Sequence, residues 1–184
     1  MKKILVFALT LLLSTHVYAA TDQEVLDRAS GVGLSMLAPY ADISNIKIKF
    51  VDDIPQSKVE QVGWAMDCGR GVMINEKRFM PLTWILKIRI IIHEVLHQID
   101  SRLCTPETDS QRELVEELTD YIAKKFSKEY LGLSEKQFDF NGIGYFTLFW
   151  KWKLESKHYS DQQLMTFFLT ADWGQLEDVY NRAD

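Results

Sequence analysis

The chain has 184 residues, of which 47% are hydrophobic and 26% charged, and its formal net charge at pH 7 is -5. A chain of this length and apolar content is expected to form one domain with a sizeable core. The acidic balance and the lack of a basic run argue against nucleic acids and anionic membranes as partners.

Residues 1–19 have the pattern of a secretory signal peptide. Two lysines follow the initial methionine, residues 4–13 form an apolar segment, and small residues lead to a cleavage site at Ala19. The apolar segment is too short to span a membrane. We expect cleavage after Ala19 or Ala20, which leaves one domain over residues 20–184. That mature chain is expected to have no membrane span and to be exported to a bacterial periplasm or secreted.

The mature chain is predicted to begin with a helix and a strand. Residues 21–24 read Thr-Asp-Gln-Glu, a capping box, and apolar residues follow at helical spacing until the helix stops before Pro39. Ile46, Ile48 and Phe50 then alternate with lysines, which predicts a half-buried strand.

A hairpin and a pair of cysteines come next. The apolar segments 62–66 and 72–74 flank the turn residues 68–71, so they predict two strands of a β-hairpin. Cys68 and Cys104 are the only cysteines. In an oxidising compartment they are expected to form one disulfide, which would join the hairpin to the end of the following helix. Two free buried thiols are the alternative.

The next segment contains the most informative motif of the chain. From Pro81 to Asp100 the sequence is mostly apolar and has no internal Gly or Pro, which predicts a buried helix. It includes His93-Glu94-Val95-Leu96-His97, an H-E-x-x-H motif. Histidines four residues apart on a helix can bind one zinc ion, and Glu94 between them can take a proton from water. The alternative is a buried helix whose two histidines are satisfied by hydrogen bonds. Burying these side chains without partners would cost several kcal/mol.

The rest of the chain is predicted to be helical. A capping box at residues 110–113 begins a helix that continues to about residue 129. Residues 138–184 carry aromatic side chains at helical spacing, which indicates a helical core more than an aromatic ligand site. The predicted fold class is therefore α+β, with a small antiparallel sheet packed on the H-E-x-x-H helix and a mainly helical C-terminal half.

A third metal ligand is expected from this second helix. A hydrolytic zinc site usually has three protein ligands, and His158 is the one further histidine that remains after signal cleavage. A carboxylate is therefore the natural third ligand. Glu116 and Asp120 lie one turn apart on a helix face that also carries small residues, where Glu116 can reach the metal and Asp120 can accept a hydrogen bond from a ligand histidine. Glu113 and Glu117 are alternative ligands on the same helix.

Together the two motifs resemble those of a known family. H-E-x-x-H at residues 93–97, followed after 18 residues by E-x-x-x-D at residues 116–120, resembles the gluzincin, or thermolysin-like, branch of zinc metallopeptidases. The resemblance covers roughly residues 46–123. It implies a compact zincin-like fold and one zinc ion per chain, with Glu116 as the third ligand and Asp120 as the acid that orients a histidine.

The resemblance also implies parts of a substrate site. Gluzincins have an edge strand before the metal helix that pairs with an extended substrate, and the residues in that position are Val72, Met73, Ile74 and Asn75. An ordinary hairpin strand is the alternative. In such enzymes a His or Tyr from the downstream helices stabilises the oxyanion, and the candidates here are His158 and Tyr145.

The function predicted from these residues is that of an exported zinc-dependent metallopeptidase that acts on a protein or peptide. Glu94 would act as the general base toward a zinc-activated water. Two alternatives stay open: a non-catalytic peptide-binding protein on the same scaffold, and a zinc hydrolase of a non-peptide amide such as a cell-wall linkage. Glu94 argues against the first of these, because a structural metal site does not need a general base.

Overall fold

The computed structural model describes residues 20–52, 54–58, 60–65, 71–100, 102, 108–132 and 159–181. Six helices lie within these ranges: α1 (Asp22–Leu37), α2 (Glu76–Phe79), α3 (Trp84–Ile99), α4 (Asp109–Tyr130), α5 (Asp161–Thr170) and α6 (Trp173–Asn181). The three strands in the same ranges are β1 (Ile48–Phe50), β2 (Gly63–Ala65) and β3 (Val72–Ile74). The coarse α+β class is therefore confirmed.

Local capping explains where the long helices begin. The Thr21 side chain accepts a hydrogen bond from the Glu24 amide, so the predicted capping box at the start of α1 is confirmed. The start of α4 differs from the prediction by two residues, because Thr108 is the N-cap and forms its capping box with Gln111. Thr83 caps α3, the helix that carries the H-E-x-x-H motif.

The sheet is mixed, so the predicted antiparallel sheet is wrong. Its strand order is β1-β3-β2, with β1 parallel and β2 antiparallel to β3. The predicted pairing of β2 with β3 is confirmed, and Trp64 lies opposite Met73. Strand β1 pairs with the side of β3 that faces away from β2 and runs parallel to it. Next to this pair the Val72 amide donates to the Lys47 carbonyl over 2.8 Å.

The predicted edge strand, Val72 to Asn75, is also wrong. Its residues 72–74 form β3, which is the central strand and is paired on both sides. Asn75 follows the strand, and its amide donates to the Val62 carbonyl over 2.8 Å. A strand whose main-chain groups are already used on both sides offers none for a substrate.

Helix α3 lies at the centre of the described core. It packs against α1, α4 and β2, and its apolar side chains Ile88, Ile91, Ile92, Val95 and Leu96 are fully buried. The approach of α1 is close, because a Cβ atom at Gly33 would lie 2.7 Å from Ile91 Cγ2. In the part of the chain that the structure describes, no helix is both long and apolar enough to cross a bilayer.

A buried arginine joins the end of α3 to the C-terminal helices. Arg102 forms two hydrogen bonds of 2.8 Å to the Asp100 carboxylate, and its side chain is only 10% exposed. It also donates to the carbonyls of Phe168 and Ala171 at the end of α5, over 2.7 and 2.9 Å. Its guanidinium lies 5.4 Å from the centre of the Phe168 ring and 5.7 Å from that of Trp173. Arg102 therefore fixes α5 and α6 relative to the helix of the motif.

Candidate metal centre

Three side chains from two helices direct one ligand atom each to a common point. His93 and His97 lie one turn apart on α3, and their Nε2 atoms are 3.0 Å apart. Glu116 comes from α4, which packs against α3, and its Oε2 atom is 3.2 Å from His93 Nε2 and 3.1 Å from His97 Nε2. Among the residues that the structure describes, this is the group that could hold a metal ion.

The spacing of these atoms fits a small divalent ion. Ligands at about 2.0–2.1 Å from a tetrahedral zinc ion lie roughly 3.3–3.4 Å from one another. The three distances between the ligand atoms here are 3.0–3.2 Å, so only a slight expansion is needed. When both imidazoles carry their proton on Nδ1, the three ligand atoms present only lone pairs to one another, and a cation between them would relieve that repulsion. Such a donor set suits zinc and other divalent transition metals.

The charges around this triad favour an ion pair when no metal is bound. Burial raises the pKa of Glu116, but hydrogen bonds from His93 and His97 outweigh it and hold that pKa far below its usual value. Burial lowers the pKa of His93, and the hydrogen bond to Glu116 together with three neighbouring carboxylates raises it above its usual value. The metal-free site is thus expected to hold a proton on a histidine, which a metal ion would displace.

Glu94 is buried beside the triad without belonging to it. The residue is 9% exposed, and burial raises the pKa of its carboxyl group. The charges of His93 and His97 act in the opposite direction, as does the main-chain N–H of Ala65, which is directed at the carboxylate. This position next to the ligand histidines, rather than among the ligand atoms, is the one that the H-E-x-x-H motif predicts for a general base.

Strand β2 is the strand that borders α3 at this point. The Val62 carbonyl accepts a hydrogen bond from the Asn75 amide, so the main-chain groups of Val62 are directed toward β3. Because alternate residues direct their main-chain groups to the same side, Gly63 and Ala65 direct theirs away from β3. The outward edge of β2 is therefore next to Glu94, and β2, not β3 as predicted, is an edge strand of the sheet.

Asp120 lies on the expected side of His93 but does not form the predicted hydrogen bond. Its Oδ1 atom is 4.0 Å from His93 Nδ1, which is beyond hydrogen-bond distance. Arg89 donates to that same oxygen, with Nε at 3.1 Å, and Lys124 Nζ lies 2.9 Å from Oδ2. His97 Nδ1 is buried and has no hydrogen-bond partner among the described residues.

Arg89 and Lys124 were not among the predicted site residues, although both are at informative positions. Arg89 precedes His93 by four residues and Lys124 follows Asp120 by four, so each lies on the same helix face as the residue it influences. Together they hold the pKa of Asp120 below its usual value against the opposing effect of burial.

Glu117, an alternative third ligand in the sequence, occupies a different environment from Glu116. It is 8% exposed, and its Oε2 atom has no hydrogen-bond partner in the described ranges. Burial, and then the charge of Glu113, raise its pKa to about 7. The group that brings ligand atoms together includes Glu116 and neither Glu113 nor Glu117.

Comparisons with family models, curated proteins and solved structures find no match for this chain. The resemblance to gluzincins therefore depends on the two motifs alone. Cys68, Cys104, Tyr145 and His158 lie outside the described residues, as does the signal peptide, so the disulfide, the oxyanion donor and the cleavage site stay predictions.

Proposed function

We propose that this chain is an exported, zinc-dependent metallopeptidase. The observation that carries the proposal is the convergence of three ligand atoms within 3.2 Å of one another, with a buried glutamate next to the first ligand histidine. A protein that only stored or sequestered metal would have no use for a buried carboxylate at that point, since its burial costs free energy. Export is proposed from residues 1–19 alone.

The residues would divide the chemistry between them. His93, His97 and Glu116 would hold one zinc ion, which would lower the pKa of a water molecule and polarise the substrate carbonyl. Glu94 would accept the proton of the attacking water on its carboxylate and return it to the leaving amine. Burial helps, because it raises the pKa of Glu94 toward the pH at which the group must both accept and release a proton.

The outward edge of β2 supports a peptide as the substrate. An extended chain could pair with the outward main-chain groups of Gly63 and with the carbonyl of Ala65, whose N–H is already directed at the Glu94 carboxylate. That edge passes Glu94, so a bond between two paired residues would come close to the base. β2 thus replaces Val72 to Asn75 as the strand that we expect to bind substrate.

The test uses the purified mature chain and four variants. We expect about one zinc ion per chain, and His93→Ala should remove it. Glu94→Gln should keep the fold and the zinc but lose about 10²–10⁴-fold in turnover of a peptide substrate. Glu117→Gln makes the same chemical change at a buried glutamate away from the ligand atoms, so it should retain both zinc and activity, whereas Glu116→Gln should lose zinc.

The same proteins discriminate between the alternatives. Denatured protein, synthetic peptides and cell-wall fragments should be assayed in parallel, and cleavage of cell-wall fragments alone would favour the non-peptide amide hydrolase. Wild-type turnover by Glu94→Gln on an authentic substrate would refute the mechanism. Failure to bind zinc at neutral pH after reconstitution would refute the metal centre. N-terminal sequencing of material from the periplasm or medium tests export and the cleavage site.

A further inference from the structure

The main chain of β2 lies close to the Glu94 side chain, and residue 63 of this strand is a glycine. A Cβ atom at Gly63 would lie 2.9 Å from Ile74 Cδ1, 3.2 Å from Glu94 Cγ and 3.4 Å from Ile90 Cγ2. Favourable carbon–carbon contacts lie at about 3.5–4.0 Å, so a methyl group at this position would displace its neighbours. Ile90 and Glu94 are one turn apart, and together they form the surface of α3 that receives the strand.

A second residue of the same strand contacts the other end of Glu94. Gly63 and Ala65 are two residues apart, so their Cβ positions share one face of β2 and their main-chain groups share one edge. Gly63 borders Cγ of Glu94, while the main-chain N–H of Ala65 is directed at its carboxylate. One strand therefore restrains both the stem and the head group of this side chain.

We propose that β2 positions Glu94 for proton transfer and that Gly63 is the positioning residue; this inference rests on the proposed function. A general base must lie within hydrogen-bond reach of the proton that it takes. A displacement of about 1 Å can reduce a rate by about 100-fold, so a shift of a few tenths of an ångström should reduce it by a few-fold. A methyl group at residue 63 would press on Glu94 Cγ and move the carboxylate, yet it would remove none of the three ligand atoms.

The first test measures the contact without using activity. Gly63→Ala is made in an Ile74→Val background, because valine lacks the Cδ1 atom that is nearest to the new methyl group. Urea unfolding is then compared with Glu94 intact and with Glu94→Ala, which removes Cγ, in a double-mutant cycle. We expect Gly63→Ala to lower the unfolding midpoint clearly when Glu94 is present and much less when it is absent.

The second test measures turnover of the zinc-loaded protein. Gly63→Ala should reduce kcat by about 3- to 10-fold, with KM and zinc content close to those of the background protein. The matched control is Gly33→Ala, which also presses a methyl group on α3, at Ile91, but from the side of α1. It should lower the unfolding midpoint without changing kcat of the folded protein, and it should show no coupling with Glu94→Ala.

Two results would overturn the inference. One is a Gly63→Ala effect on unfolding that is the same with and without the Glu94 side chain, whatever the activity. The other is coupling in unfolding together with an unchanged kcat. If coupling is present but the wild-type protein cleaves no substrate, β2 still positions the Glu94 side chain and the proposed peptidase function alone fails.

Discussion

Glu116 and Glu117 are neighbours on α4, but their carboxylates lie in opposite environments. Glu116 faces two histidines, whereas Glu117 is buried with one oxygen that has no hydrogen-bond partner in the described ranges. The pKa of Glu117 is raised to about 7 from an ordinary value of 4.5. We predict that Glu117→Gln stabilises the metal-free protein above neutral pH and leaves zinc binding unchanged.

The sign and size of the effect follow from the two pKa values. In the unfolded chain Glu117 ionises near 4.5, while in the folded protein it stays protonated until about pH 7. Its contribution to stability is therefore fully present below 4.5 and is lost as the pH rises through 7. Since one pKa unit corresponds to about 1.4 kcal/mol, the loss amounts to roughly 3 kcal/mol between about pH 4 and about pH 8.

The assay is urea unfolding of the metal-free protein and the Glu117→Gln variant across that pH range. The difference between the two proteins isolates Glu117, because the other titrating groups are common to both. The free energy of unfolding of the variant should rise relative to wild type by about 3 kcal/mol between the two ends of the range. A difference in unfolding free energy between the two proteins that does not change with pH would refute the reasoning. Failure of the Glu117→Gln variant to bind zinc would refute it as well.

Three further predictions follow from contacts described above. Arg102→Ala should lower the free energy of unfolding by about 3–5 kcal/mol in urea denaturation, because it leaves a buried carboxylate without its cation, and a loss below about 1 kcal/mol would contradict this. In the metal-free protein the Glu116–His93 pair should stabilise the fold most between about pH 4.5 and about pH 6.5. The contribution of Glu116 is lost as the pH falls through its depressed pKa, and that of His93 is lost as the pH rises through its raised pKa. Glu116→Gln should therefore destabilise the metal-free protein most in that window, as urea unfolding against pH would show. Mass spectrometry of non-reduced peptides from exported protein should find Cys68 bridged to Cys104, and free thiols on both would contradict the prediction.

Local spacing predicted the two histidines of the triad, while the choice of Glu116 over Glu113 and Glu117 also drew on the resemblance to gluzincins. His93 and His97 are related by one helical turn, whereas Glu116 reaches them because α4 packs against α3. The helices themselves were predictable because capping residues and apolar periodicity are local signals.

Features that depend on distant parts of the chain were not predictable in the same way. The central place of β3 depends on its pairing with β1 on one side and β2 on the other, and the alternation of apolar residues is the same for edge and central strands. The hydrogen bonds of Asp120 depend on how far Arg89 reaches across from α3, which residue spacing does not specify. The role of Gly63 appears only once β2 is seen against α3.

The division of the triad between two helices has a consequence for folding. A metal ion bound there would act as a cross-link that closes the connection from His97 to Glu116, which are 19 residues apart. Like any ligand that binds only the folded state, it would add about 2.7 kcal/mol to stability at a free concentration of about 100 times its dissociation constant. Because the metal would bind only the folded protein, it would leave the unfolded chain unrestricted, whereas the predicted disulfide, which reaches this connection at Cys104, would restrict it. Stripping the metal should therefore cost the same stability in reduced and in oxidised protein, and urea unfolding of both forms would show this.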